Sequence, residues 1–294
     1  MSPNQPLTSL PVPAHRGKVR DVYDLGENLL LVATDRVSAF DCVLPTEIPD
    51  KGKILTDLSA YWFERTAALV PSHMLSTSPA DFPEPFRSEA TLAGRSTLVR
   101  KARRIDVECV VRGYLAGAGW AEYERTGRLF GHDLPSGLTK GARLTEPLFT
   151  PTTKADEGHD EPLSFEDMAD SLGAELAERL RSLSLTLYRE GHAIAEGRGF
   201  LLADTKFEFG FIGDELSVID EVLTPDSSRY WRKEDYRAGV APDSWDKQVI
   251  RDYLAGLPWD KTPPAPPLPP EIVHRARERY LDVHRAITGR ELPS

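Results

Sequence analysis

The sequence predicts an α+β fold, in which hairpins and helices alternate without the regular strand–helix–strand rhythm of a parallel sheet. Two observations carry this. Residues 15–34 and 200–222 both read as strands folded back across a glycine-containing turn. Residues 164–187 and 272–287 repeat apolar side chains every three or four positions, the period of a helix with one buried face. No internal repeat is visible. The expected organisation is a β-rich N-terminal lobe over residues 1–110 and a larger α+β lobe over residues 111–294. A cleft between them is the default ligand site.

The elements follow in order. Lys18 to Tyr23 alternates, the turn centres on Gly26, and residues 29–34 form an apolar run. Residues 56–70 have helical spacing, with Leu58, Tyr61, Trp62 and Leu69 on one face. Residues 97–101 and 107–114 read as inner strands, and residues 120–125 as a helix after Gly113, Gly117 and Gly119. Residues 126–163 read mainly as loop. One long helix is then expected, N-capped by Ser164 and buried through Met168, Leu172, Leu176, Leu180, Leu183 and Leu187. Residues 258–270 are a proline-dense connector to a last helix carrying Ile272, Ala276, Tyr280, Val283 and Ile287.

Composition narrows the function. The 294 residues are 40% apolar and 28% charged, as expected of a chain that buries a core. With 46 acidic against 36 basic residues, the formal charge is −10, which argues against nucleic acid as the main partner. No stretch approaches the roughly 20 apolar residues of a membrane helix, and residues 1–13 lack the apolar core of a signal segment. Cys42 and Cys109 are the only cysteines, too few and too separate for a disulfide framework or a metal-ligand spacing. A reducing, cytoplasmic setting is expected.

The segment Asp204-Thr205-Lys206-Phe207-Glu208-Phe209-Gly210 carries the clearest chemical signal. Residues two apart on a strand share a face, so Asp204, Lys206 and Glu208 point one way and Phe207 and Phe209 the other. If the turn centres on Asp214, Glu208 lies opposite Asp220 on the returning strand. Two carboxylates facing each other are destabilising unless a cation sits between them. Magnesium suits such a pair, with substrate phosphates completing its shell. A wet amphipathic hairpin is the competing reading. The loop of Asp226, Ser227, Ser228 and Arg229 that follows favours a ligand site.

Other clusters are weaker. Arg16-Gly17-Lys18-Val19-Arg20 sets cations around a glycine, as a phosphate-binding turn would, without a Walker pattern. Glu108, Val110 and Arg112 share one strand face, and Arg112 suits a bidentate clamp on carboxylate or phosphate. The loop after Phe149 brings Lys154 and hydroxyls toward a site, with His159 read as surface and Asp160 beside it. Lys247 and Arg251 stand at i and i+4 and could share a phosphate.

In order along the chain, these segments resemble one family, the SAICAR synthetases (phosphoribosylaminoimidazole-succinocarboxamide synthases) of purine biosynthesis. The resemblance is carried by Gly17-Lys18-Val19-Arg20-Asp21-Val22-Tyr23, Ala33-Thr34-Asp35-Arg36-Val37-Ser38-Ala39-Phe40-Asp41, Val107-Glu108-Cys109-Val110-Val111-Arg112-Gly113, Phe149-Thr150-Pro151-Thr152-Thr153-Lys154, the Asp204–Gly210 segment, and Asp220-Glu221 through Pro225-Asp226-Ser227-Ser228-Arg229. It implies a two-lobed, SAICAR-synthase-like nucleotide-binding architecture of kinase-like or ATP-grasp-like form. It implies a ligase that joins L-aspartate to the carboxylate of carboxyaminoimidazole ribonucleotide, using ATP and Mg2+, acting as a monomer or homodimer on small molecules. Lys18, Arg20 and Lys154 would then meet ATP phosphates, Arg100 and Ala102 the adenine through their backbone, and Glu108 the ribose. Glu208 and Asp220 would hold the metal. Arg112, Lys206, Asp226, Ser228 and Arg229 would surround the imidazole substrate, Lys247 and Arg251 its distal phosphate, and Asp35 and Ser38 the carboxylates. Asp204 would bind or deprotonate the aspartate amine. One position departs: Gly117-Ala118 stands where the family commonly has Gly-Ser, which removes a hydroxyl from the substrate site. A small-molecule kinase of related fold and a non-catalytic nucleotide-binding module are the alternatives: the first predicts phosphate release that does not depend on L-aspartate, the second ATP binding without turnover.

Overall fold

The fold is described from a computed structural model, which covers residues 14–154 and 160–293. Its strands are β1 (Ala14–Arg16), β2 (Arg20–Asp24), β3 (Asn28–Ala33), β4 (Ser38–Ala39), β5 (Cys42–Val43), β6 (Met74–Ser76), β7 (Ser96–Arg100), β8 (Arg103–Arg104), β9 (Val107–Tyr114), β10 (Arg128–Leu129), β11 (His132–Asp133), β12 (Arg143–Phe149), β13 (Thr152–Thr153), β14 (Phe200–Ile212), β15 (Glu215–Ile219) and β16 (Ser228–Arg232). The α-helices are α1 (Lys51–Thr66), α2 (Gly117–Thr126), α3 (Phe165–Leu172), α4 (Ala174–Gly197), α5 (Gln248–Ala255) and α6 (Pro270–Thr288).

Among the described residues, two principal antiparallel sheets form. The first runs β1-β2-β3-β7-β6. Its alternation turns Asp21 and Tyr23 inward, and Tyr23 packs with Leu30, Val32, Leu98 and the looped Phe82 and Phe86. The second runs β12-β9-β14-β15, with β13 on β9 and both β8 and β16 on β14. The change of sheet falls between Arg100 and Arg103. A parallel bridge from Ser72 to Val218 ties the sheets together.

Burial explains the central position of β9 and β14. Every residue of β9 is buried, as expected of an inner strand covered on both faces. α1 and α4 pack one side through Leu55, Leu58, Trp62, Leu180 and Leu187, against Val111, Leu202, Phe207 and Phe209. The polar edge of β14 is thereby left facing the cleft. α5 and α6 close over the 37–48 segment in a separate core of Val37, Leu44, Ile48, Ile250, Leu254 and Ile272.

The sequence expectations hold for the first hairpin, β7, β9, the β14–β15 hairpin and α6. Others shift. α1 begins at Lys51 rather than residue 56 and ends at Thr66, because Asp35 Oδ1 accepts the Gly52 N–H at 2.9 Å and fixes the start of the helix. Ser164 caps as expected, accepting from Asp167 N at 3.0 Å. The long helix nevertheless breaks at Gly173, which adopts φ +87° between α3 and α4. The stretch read as loop contains β12, which pairs with the inner strand β9.

Candidate active site

Two cavities meet on the polar face of β14. The larger, about 520 Å³, has Lys18, Arg20, Lys154, Glu208, Asp220 and Lys247 in its wall. The smaller, about 230 Å³, has Arg112, Ala118, Asp204, Ser228, Arg229 and Arg251. Lys206, Asp226 and Ser227 line both. The two cavities therefore adjoin at Lys206, Asp226 and Ser227.

The two carboxylates of the hairpin come together, but not by direct cross-strand pairing. Ile212 pairs with Glu215 across a two-residue turn, so Glu208 faces Ile219 and not Asp220. Asp220 lies one residue past the end of β15, at φ +66°. The left-handed turn is uncommon for a residue with a side chain. Arg20 bonds Asp220 and reaches Glu221 Oε1 at 2.8 Å. Lys154 bonds Glu208. Burial, and then the Asp220 charge, push the Glu208 carboxyl up to about 7. Glu208 in turn lifts Lys154 to about 12, overcoming the opposing effect of burial. The site holds its anions with borrowed cations.

Glu108 stands at the next position across the sheet and is buried. Its carboxylate accepts from Lys206 Nζ at 3.1 and 2.8 Å and from Lys154 Nζ at 3.3 Å. Burial alone would raise its pKa, but the Lys206 charge, followed by Lys154, brings it below the ordinary value. Lys206 is tethered at the seam while remaining about half exposed.

In the smaller cavity Asp204 Oδ2 accepts from Arg112 Nη1 at 3.0 Å and also from Arg229. Arg112 Nε donates to Thr150 Oγ1 at 3.1 Å. Asp204 thus bridges both guanidiniums, and all three side chains line the cavity. Arg229 passes over Gly117: a Cβ there would lie 2.3 Å from Arg229 Nη2, and Gly117 adopts φ +51°. The left-handed backbone favours glycine here, and a side chain would also displace the Arg229 guanidinium. Ser228 Oγ shares a hydrogen bond of 2.8 Å with Thr205 Oγ1.

Asp226 is the junction of four elements. Its Oδ2 lies 2.9 Å from Lys51 Nζ, at the start of α1, and 3.4 Å from Lys247 Nζ, just before α5. Its Oδ1 accepts from the Tyr280 hydroxyl of α6 at 2.6 Å. Burial would raise the carboxyl; the Lys247 and Lys51 charges hold it far below the carboxylate range.

A SAICAR synthetase sequence profile matches residues 13–266. The phosphoribosylaminoimidazole-succinocarboxamide synthase of Thermodesulfovibrio yellowstonii is 53% identical over 275 residues, spanning 93% of this chain and 94% of that protein. The chain belongs to the SAICAR synthetase family. The synthase of Geotalea uraniireducens is 51% identical over 279 residues, covering 94% of each chain. The SAICAR synthase structure from Saccharomyces cerevisiae, solved with SAICAR bound, superposes with a TM-score of 0.85 at 38% identity, covering 96% of this chain and 97% of that one. A SAICAR synthetase solved with ADP superposes with a TM-score of 0.70 at 22% identity and shares the fold, covering 96% of this chain and 100% of that one. The protein is an ATP-dependent carbon–nitrogen ligase of purine biosynthesis acting on small molecules. These relatives do not favour the kinase or the non-catalytic module.

Membership in the SAICAR synthetase family does not place every expected residue in the cleft. Asp35 is a structural post, since Oδ1 caps α1 and Oδ2 meets Arg95 Nη2 at 3.3 Å; Ser38 lines the larger cavity. Arg100 and Ala102 line neither cavity. The Arg100 N–H bonds His73 O at 2.8 Å, and the Ala102 side chain lies over Gly210, where an added Cβ would meet it at 3.1 Å. Lys247 lines the larger cavity and Arg251 the smaller. His159 lies outside the described residues. Sequence reasoning missed Arg36, Lys51, Thr150 and Tyr280. Arg36 lay within a quoted motif. It clamps buried Asp21 at 2.7 Å and donates to the carbonyls of Lys18 and Gly17 at 3.3 and 3.2 Å, which shapes the cationic turn.

Proposed function

We propose that the larger cavity binds the phosphates of ATP and the smaller one the imidazole ribonucleotide carboxylate, with ligation to L-aspartate at their seam. The observation carrying this is that Lys206, Asp226 and Ser227 line both cavities. A phosphoryl donor on one side can then reach a carboxylate on the other. The reading agrees with a relative solved with ADP and another with SAICAR.

Lys18, Arg20 and Lys154 supply positive charge to the phosphate chain. Glu208 and Asp220 would hold Mg2+. The fit is chemical: two hard oxygen donors line one cavity, and burial, with the Asp220 charge adding to it, pushes the Glu208 carboxyl up to about 7, a conflict that a divalent cation relieves. When bound, the metal would neutralise charge on the transferring phosphoryl group.

A carboxylate resists amide formation because its leaving group would be oxide. Attack of a carboxylate oxygen on the γ-phosphorus releases ADP and gives an acyl phosphate. Attack of the aspartate amine on the acyl carbon then expels phosphate. Lys206 would stabilise charge at the reacting carboxylate, while Arg112, Arg229 and Arg251 hold the ribonucleotide's anionic groups. Glu108 tethers Lys206 from the side that faces the nucleotide. Asp204, read from the sequence as a base or amine-binding group, is assigned here to holding Arg112 and Arg229 in place. The lobe division near residue 110, a cytoplasmic location and a monomeric or homodimeric state belong to the same reading. The free, buried Cys42 and Cys109 fit a reducing compartment.

The test is ADP release with ATP, magnesium and the imidazole carboxylate, with and without L-aspartate. Aspartate-dependent formation of the succinocarboxamide is expected. Turnover indifferent to aspartate, with no such product, would overturn the reading.

A further inference from the structure

Lys51 is wholly buried, at 0% exposure, and its ion pair with Asp226 Oδ2 is 2.9 Å long. Among the described residues its ammonium has no other acceptor. Lys247 approaches the same oxygen at 3.4 Å but lines the larger cavity. Two ammoniums thus share one carboxylate, whose other oxygen is occupied by Tyr280 at 2.6 Å. The cluster carries one uncompensated positive charge in a poorly hydrated place. A buried charge of this kind is costly until an anion pairs with it.

The two lysines are not equivalent. Lys51 cannot reach the cavity, holds the shorter contact and sits on the helix that anchors the first sheet. Lys247 faces the cavity and is left with the longer contact. Glu221, on the Arg20 side, adds to its attraction, while Arg251 and Lys51 repel it. The phosphate chain already has Lys18, Arg20 and Lys154. The unclaimed charge at Lys247 therefore suits a carboxylate near the seam.

We propose that Lys51 is a positioning residue: by holding Asp226 against Tyr280 it leaves the Lys247 ammonium free to receive a substrate carboxylate. The proposal deepens the ligase reading and rests on it. Without Lys51, Lys247 becomes the one ammonium left on Asp226, and the carboxylate neutralises it. The carboxylate belongs either to the imidazole ribonucleotide or to L-aspartate, and separate titrations tell these apart.

A double-mutant cycle over Lys51→Met, Lys247→Met and the combined variant tests it, with kcat and each KM measured. Lys51→Met is expected to raise KM for one carboxylate substrate at least tenfold, with kcat within threefold of wild type and KM for ATP unchanged. Lys247→Met should raise the same KM, and the combined variant should be no worse than Lys247→Met alone. Equal losses from Lys51→Met in both backgrounds would mean a merely structural role and overturn the proposal. So would a fall in kcat at constant KM, or an effect confined to KM for ATP. Where the methionine variant does not fold, Lys51→Gln gives the same test, since its amide keeps a donor toward Asp226 but removes the charge. Failure of the ligase reading is seen separately, in wild-type turnover without aspartate dependence.

Discussion

Replacing Asp226 by asparagine should destabilise the fold before it says anything about catalysis. The carboxylate is 2.9 Å from buried Lys51 and 3.4 Å from Lys247, and Tyr280 donates to it at 2.6 Å. Losing the anion leaves two ammoniums facing an amide with no charge between them. Breaking a buried pair from one side costs about 3–5 kcal/mol. Against a total stability of about 5–15 kcal/mol, that is a large share. At about 2.1 cal/mol/K of unfolding entropy per residue, it corresponds to a fall in Tm of roughly 5–8 °C for a chain of this size. Urea unfolding followed by tryptophan fluorescence reads the change, with the m-value unaltered. There is a pH signature too. In the folded chain the carboxyl titrates below its ordinary value of 3.8. Its contribution is therefore complete above that pH and is lost as the pH falls toward the folded value. The asparagine variant should lose less stability than wild type on acidification below pH 4. Combining it with Lys51→Met, which removes the stranded charge, should recover part of the loss. A stability within 1 kcal/mol of wild type would refute the account of Asp226 as a junction.

Glu208→Gln should leave the far-ultraviolet spectrum and Tm close to wild type while abolishing turnover at any magnesium concentration; an unchanged rate at saturating magnesium would remove Glu208 from the metal site. Ala118→Ser restores a hydroxyl to the wall that holds Arg112 and Arg229. One hydrogen bond of about 0.5–1.5 kcal/mol should lower KM for the imidazole carboxylate roughly two- to tenfold, and an unaltered KM would show that the hydroxyl does not reach the substrate. Burial holds His192 below its ordinary value of 6.5, against the opposing charge of Glu196. The unfolded chain then binds more protons just below pH 6.5, and stability falls as pH drops through that window. His192→Phe keeps the stack on Tyr188, whose ring centroid is 5.7 Å away, and should flatten the fall measured by urea midpoints at pH 7 and pH 5. An identical slope would contradict it.

The residues that gather in the cleft were legible because each lies within a short motif with its own chemistry. Alternation placed Phe207 and Phe209 in the core and Lys206 and Glu208 on the polar edge. It could not fix the register. Glu215 reads as a turn residue, but the turn closes one residue earlier, so Asp220 reaches Glu208 through a left-handed backbone. Gly173 broke a helix whose leucine spacing is continuous, since periodicity records burial and not φ. β12, with its exposed charges and Pro147, has the composition of a loop and is a strand only because β9 offers it an edge. Lys51, Asp226 and Tyr280 come from three distant segments, and nothing local in any of them announces the contact. Asp35 stands in a family motif, and nothing in its local sequence signals that its two oxygens meet the start of α1 and Arg95.

The central claim is that a carboxylate is activated by phosphoryl transfer across the Lys206 seam. Turnover of the imidazole substrate with its carboxylate labelled with 18O tests this most directly, followed by mass analysis of the released phosphate. The account predicts one 18O atom in each phosphate, because the oxygen that attacks the γ-phosphorus leaves with it when the aspartate amine closes the amide. Unlabelled phosphate, formed together with the succinocarboxamide, would contradict it.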